Sequence, residues 1–158
     1  MRSDGTELTL VLLPTDAIGW PQIAPAGPPS WSPDGSSLAF GTLANAGGNK
    51  VYVVKPDGSG LTALGPGAQA TPVWSPDGSR IAFADGAAAV YIASRDGATL
   101  RRFGTGYMPA WSPGGTRLAF SKTLAPGRAA VYVADTAGMW DSRVTLLTAR
   151  QNWPSWRP

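Results

Sequence analysis

Three serines sit in a setting that invites a catalytic reading. Ser32, Ser75 and Ser112 each follow a tryptophan, in the stretches PSWSPDGSSLAF, PVWSPDGSRIAF and PAWSPGGTRLAF that begin at Pro29, Pro72 and Pro109. A serine becomes a nucleophile when a base, most often histidine, takes its proton. This chain has no histidine, and Lys50, Lys55 and Lys122 hold no repeated spacing to the serines. The neighbouring aspartate is replaced by Gly114 in the third copy, a change that a turn tolerates and a catalytic or metal position does not. Pro-Asp-Gly has a mechanical explanation: proline pre-sets φ, aspartate bonds nearby backbone, and glycine accepts positive φ. Asp34-Gly35 and Asp77-Gly78 are therefore expected to turn the chain after a first strand, and Asp57-Gly58 and Asp96-Gly97 after a third.

The other carboxylates, Glu7, Asp16, Asp85, Asp135 and Asp141, show no metal-loop spacing. With neither cysteine nor histidine, only hard oxygen ligands are available. No metal and no cofactor are expected, a calcium ion held by turn aspartates or channel carbonyls being the minority reading. There is no glycine-rich phosphate loop leading into a helix, so nucleotide chemistry is not expected. The 13 Lys and Arg against 10 Asp and Glu give a net charge of +3 without basic runs. The densest basic spot, Arg101-Arg102 beside Phe103, reads as a solvated strand face, and no nucleic-acid partner is expected. No apolar run approaches the roughly 18 residues of a membrane helix. The start, MRSDGTELTLVLLP, is broken by Asp4, Glu7 and Thr9, so no signal peptide is visible.

What positions these turns is a repeat. Trp31, Trp74 and Trp111 lie 43 and 37 residues apart, each followed nine positions later by Phe40, Phe83 or Phe120. A second apolar run then carries Tyr52, Tyr91 or Tyr132, and a second turn follows. Each unit reads as four short strands, and nothing reads as a long amphipathic helix. Gly 20 and Pro 15 with only 15% charged residues agree with an all-β chain. Four-stranded units of about 40 residues are the sequence form of β-propeller blades. The matched aromatics, together with Trp156, are expected to form the core between blades.

The expected layout is a single propeller segment. Residues 1–20 form an outer strand and connector, 21–64, 65–103 and 104–148 are blades, and 149–158 start a further one. SDGTELTL from Ser3 matches an outer strand, and NWPSWRP from Asn152 restarts the tryptophan motif. Three blades are fewer than the roughly four to eight of a closed ring, so an incomplete ring is expected. It is either a piece of a longer propeller, the preferred reading, or a half-ring that self-associates through its open blade faces.

The ordered elements Trp, Ser-Pro-Asp-Gly, Ala-Phe, Val-Tyr and Asp-Gly resemble the TolB-type, WD40-like β-propeller repeat over essentially the whole chain. The Ser-x-Arg segment common after the phenylalanine is replaced by GTLANAGGNK and ADGAAA. The resemblance implies a six- or seven-bladed docking platform, periplasmic or extracellular, that binds envelope proteins. Related propellers also belong to prolyl-oligopeptidase-type peptidases, polysaccharide-acting enzymes and extracytoplasmic sensors, and fold does not choose among them. The expectation is a non-enzymatic scaffold with a protein or peptide partner. Its candidate contact residues break the period: Trp20, and Met139, Trp140 and Arg143 in an inserted turn. The competing reading makes these loop residues that fold back on their own blade.

Overall fold

The computed structural model describes residues 24–25, 27–43, 50–66, 71–137, 141–144 and 156. All regular structure among them is β, arranged as three antiparallel sheets. Blade 1 comprises β1 (Ala24–Pro25), β2 (Ser30–Trp31), β3 (Leu38–Leu43), β4 (Lys50–Val54) and β5 (Thr62–Pro66). Both β1 and β2 pair with β3, so together they make one interrupted inner strand. Blade 2 is β6 (Val73–Trp74), β7 (Arg80–Ala84), β8 (Ala89–Ser94) and β9 (Leu100–Thr105). Blade 3 is β10 (Tyr107–Trp111), β11 (Arg117–Ala125), β12 (Arg128–Asp135) and β13 (Asp141–Arg143). No helix among the described residues is long and apolar enough to cross a membrane.

Strand alternation gives every blade two unlike faces. One carries the aromatics: Trp74 pairs with Ile81 and Phe83 with Tyr91 across neighbouring strands. The other carries small or β-branched residues, such as Ala39, Val51 and Val53 in blade 1. The aromatic face of blade 2 packs on the small face of blade 1 in one buried cluster. Trp111, Leu118 and Phe120 of blade 3 pack on Ala82, Ala84, Val90 and Ile92 of blade 2 in a second. Large rings fill the space left by short side chains, which is how a repeated interface reaches interior density. Within each blade the phenylalanine and tyrosine stack, with ring centroids 5.8, 5.7 and 6.2 Å apart.

A backbone bond accompanies each interface. Trp74 Nε1–H donates to Ser30 O at 2.9 Å, Trp111 to Val73 O at 3.0 Å, and Trp156 to Ala110 O at 3.1 Å. The acceptor is always the residue just before the tryptophan of the preceding blade.

Trp31 departs from the core role expected of it, being 55% exposed against 8% for Trp74 and Trp111. The same motif is buried only where a preceding blade supplies a small face and a carbonyl, and the described residues contain none before blade 1. Phe40, Tyr91, Tyr132 and Trp156 are half-buried, and Tyr52 is buried. The outer strands β5 and β9 each run two residues past the expected joints at 64 and 103. Bulges opposite Val51/Tyr52 and Val90/Tyr91 insert one residue into each. The extra residues, Leu64 and Phe103, pack against the core.

Candidate functional site

The two ends of the blades are chemically different. The lower end carries the turns after the first and third strands, and there the serines have a clear role. Ser32, Ser75 and Ser112 are buried, and each hydroxyl accepts the backbone N–H five residues on, from Ser37, Arg80 and Arg117, at 2.9 to 3.0 Å. In the first two copies the same hydroxyl donates to the aspartate, Ser32 to Asp34 and Ser75 to Asp77, at 2.5 Å. The third copy keeps the serine bond without a carboxylate, which makes the serine the constant part of the turn. In the second turn of blade 2, Ser94 bonds Asp96 and Thr99 in the same way. Gly35, Gly58, Gly78 and Gly97 all take left-handed φ between +68° and +83°, which accounts for glycine there.

The aspartates are held ionised by these bonds. Asp34 lies well below the usual carboxylate range, first through the Ser32 hydroxyl and then through Arg95. Asp77 is lowered to about 2, first by the Ser75 hydroxyl and then by the Ser79 N–H. Asp57 and Asp96 are also lowered, chiefly by Ser59 and Ser94. Among the described residues three arginines tie adjacent blades, one of them Arg101, which donates to Thr136 O and, at 3.3 Å, to Ala137 O of blade 3. Arg95 reaches back to Asp34 at 2.9 Å and to Ser37 while lying 5.4 Å over Trp74. Arg80 lies 4.7 Å over Trp111 and donates to Gly115 O at 2.9 Å. An open groove of about 430 Å³ lies here between blades 1 and 2, bordered by Ser37, Val53, Lys55, Thr62, Ser94 and Arg95. Among the described residues no three acidic groups lie close enough to share a metal ion.

The upper end, where second strands turn into third and one blade passes to the next, follows no such repeat. Blade 3 sends up a long hairpin: β11 and β12 have 9 and 8 residues against 5 and 6 for β7 and β8. Its tip exposes Leu124 (46%), and at its root lie Tyr107 (39%) and Met108 (37%). Among the described residues, Met108 and Ala88 are the non-glycine residues with positive φ, at +54° and +62°, a conformation that costs about 1–2 kcal/mol for a residue with a Cβ. They are linked through Gly106, whose N–H donates to Ala88 O at 2.7 Å. A Cβ on Gly106 would stand 2.6 Å from the Phe120 ring and 2.7 Å from Ser121 O. The passage between blades is therefore closed tightly, and the bulge that follows lifts Met108 into solvent. Beside it, Ser121 Oγ is the buried side-chain polar atom without a hydrogen-bond partner among the described residues.

Asp85 is folded into its own turn. It accepts from the N–H groups of Ala87 and Ala89, and from the Tyr91 hydroxyl at 3.2 Å. Burial first, and then the Asp85 charge, push the Tyr91 hydroxyl above its ordinary pKa. The Lys122 ammonium lies 4.4 Å over the Tyr132 ring.

Among solved structures, TolB from Acinetobacter baumannii matches 80% of this chain with a TM-score of 0.63 and 19% identity. The chain folds as β-propeller blades. A TolB-type protein of Agrobacterium tumefaciens matches 74% of the chain with a TM-score of 0.63 and 21% identity. An oligogalacturonate lyase in complex with manganese matches 80% of the chain, with a TM-score of 0.61 and 15% identity. The chain spans 33%, 45% and 43% of those three proteins. No family model and no curated protein matches the sequence.

Of the expected contact residues, Trp20, Met139 and Trp140 lie outside the described residues, and Arg143 sits in β13 opposite Tyr132. Tyr107 and Met108 were not singled out by the motif, although the propeller repeat carries a signal for them. Four and three positions before the tryptophan, blades 1 and 2 have Gly27-Pro28 and Ala70-Thr71, whereas blade 3 has an aromatic and a methionine.

Proposed function

We propose that this propeller segment is a non-catalytic docking platform for a protein or peptide partner in the cell envelope, with the upper end of blade 3 as the contact surface. One observation carries the reading. A strained backbone holds Met108 in solvent beside Tyr107, under a hairpin whose tip exposes Leu124. Strain of this kind persists where the surrounding structure over-determines it, and it clusters at functional positions. Tyrosine and methionine are also enriched at protein interfaces. The similarity to TolB structures supports the envelope setting.

A photoreactive amino acid at Tyr107 or Leu124, in the full reading frame expressed in its host, is expected to give a discrete crosslinked species. The same group at Ser36 or Ser59 on the lower end is expected to give none. Equal crosslinking at both ends would overturn the assignment.

The oligogalacturonate lyase similarity favours a second reading, in which these blades belong to a larger enzyme that acts on polysaccharide or peptide. Turnover of an oligogalacturonate or a chromogenic peptide by the full-length protein would establish it.

A further inference from the structure

We infer that blade 3 takes its partner as an added β-strand, an extended, proline-containing segment of another protein that pairs with Thr123 on the inner edge of β11; this rests on the docking reading above. The comparison with blade 1 carries it. Leu38 to Leu43 of β3 aligns with Leu118 to Thr123 of β11. In blade 1 the upper part of that edge is covered, since Ala24 pairs with Leu43 and Pro25 with Thr42. In blade 3 the pairing with β10 stops at Tyr107 opposite Ser121, and among the described residues no strand continues it. Blade 2 has no such overhang, because β7 ends at Ala84, the counterpart of Ser121. The connector explains the bare edge. Blade 3 is entered from β9 through Gly106 alone, whose N–H is turned to Ala88 O, so the passage has no residue to spare for Thr123.

Strand alternation says which backbone groups are offered. Arg117 O accepts from Ser112 N–H, so Ala119, Ser121 and Thr123 direct their N–H and C=O groups towards the β10 side. Thr123 is exposed, and an edge of this kind is a template for strand addition. Blade 1 shows the chemistry that fits. There Ser37 O accepts from Ser32 N–H, which puts Leu43 in the same phase as Thr123. Ala24 therefore stands where ladder bonds form, and Pro25 stands where no N–H is required. Proline also holds the residue before it extended, which lowers the entropy lost on docking. The exposed Tyr107, Met108 and Leu124 flank the edge and offer apolar contact to such a strand.

The test uses the 158-residue chain and a synthetic peptide with the sequence of residues 22–29, QIAPAGPP, as the strand probe. The peptide is expected to bind and to slow hydrogen exchange of the Thr123 amide on the order of tenfold. N-methylation of the peptide alanine that corresponds to Ala24 removes the N–H aimed at Thr123 O and should weaken binding about tenfold. Thr123→Pro deletes a donor that faces away from β12, a place where an edge strand tolerates proline, and should abolish binding with exchange in β12 unchanged. If that variant fails to fold, the N-methyl peptide decides alone. Equal binding with and without the N-methyl group, weakened in both cases by Met108→Ser, overturns strand addition and leaves side-chain docking standing. A parent chain that self-associates, and becomes monomeric on Thr123→Pro, gives the edge to a second copy and overturns the separate partner. Absence of peptide binding overturns strand addition, and if Tyr107 also yields no crosslink the docking reading falls with it.

Discussion

The lower and upper ends of these blades solve different problems with the same strands. At the lower end the polar groups of the turns are largely satisfied by their own blade or the next one. Serine hydroxyls bond backbone five residues on, aspartates bond serines, and Arg80 and Arg95 bridge to neighbouring turns. At the upper end of blade 3 the repeat stops, a non-glycine residue takes left-handed φ, and large apolar side chains face water. The lower end spends its chemistry on holding blades together and the upper end keeps chemistry available. Substitutions should therefore separate cleanly: lower-end and interface changes lower stability, and upper-end changes alter binding.

The largest effect is expected at the blade interface. Trp111→Ala should cost about 3–5 kcal/mol in denaturant titration, whereas Trp31→Ala, at 55% exposure, should cost less than about 1 kcal/mol. Equal losses would mean that an unseen neighbour buries Trp31 as fully as its counterparts. Gly106→Ala comes next, at about 1–3 kcal/mol for overpacking, because its Cβ meets the Phe120 ring and the Ser121 carbonyl. Gly104→Ala, with nothing within 4 Å, is the matched control and should lie within about 1 kcal/mol of the parent.

Acid sharpens the contrast from the lower end. Asp77 has a folded pKa below its unfolded value, so the unfolded state binds the proton more readily and stability rises with pH across that interval. Its contribution is present above the ordinary value of 3.8 and is lost as pH falls to about 2. Asp34, lowered further, behaves likewise. Asp77→Asn is expected to flatten the stability profile in this window, measured by urea midpoints at successive pH values. A profile identical to the parent's would remove the turn carboxylate from the account.

The smallest effect carries the opposite sign. Met108→Gly relieves a left-handed φ of +54° and should leave stability unchanged or raised by up to about 1 kcal/mol, while weakening partner binding. A clear loss of stability would show Met108 to be a structural residue.

Much of the lower end was legible in the residues. Pro-Asp-Gly turns, the nine-residue step from tryptophan to phenylalanine and the stacked tyrosines follow from local preferences that each repeat states afresh. The serines already had a structural place in the turn from the sequence, and the structure added the bond that holds it, which Ser112 keeps without a carboxylate. The upper end was less legible because its features have no repeat to compare against. Tyr107 and Met108 stand out only after the blades are aligned, and the positive φ of Met108 has no local residue signature, since methionine carries no preference for it.

The sequence by itself determined the blade: four strands, their turns, an aromatic face and a small face, all set by side-chain alternation and turn chemistry. It could not decide which copies are buried, because Trp31 and Trp74 sit in nearly the same ten residues and differ only in what packs against them. Tertiary structure also decided which blade each arginine bridges to, and that Leu64 and Phe103 turn inward at bulges. These are relations between blades, and a repeat written once per blade carries no record of its neighbours.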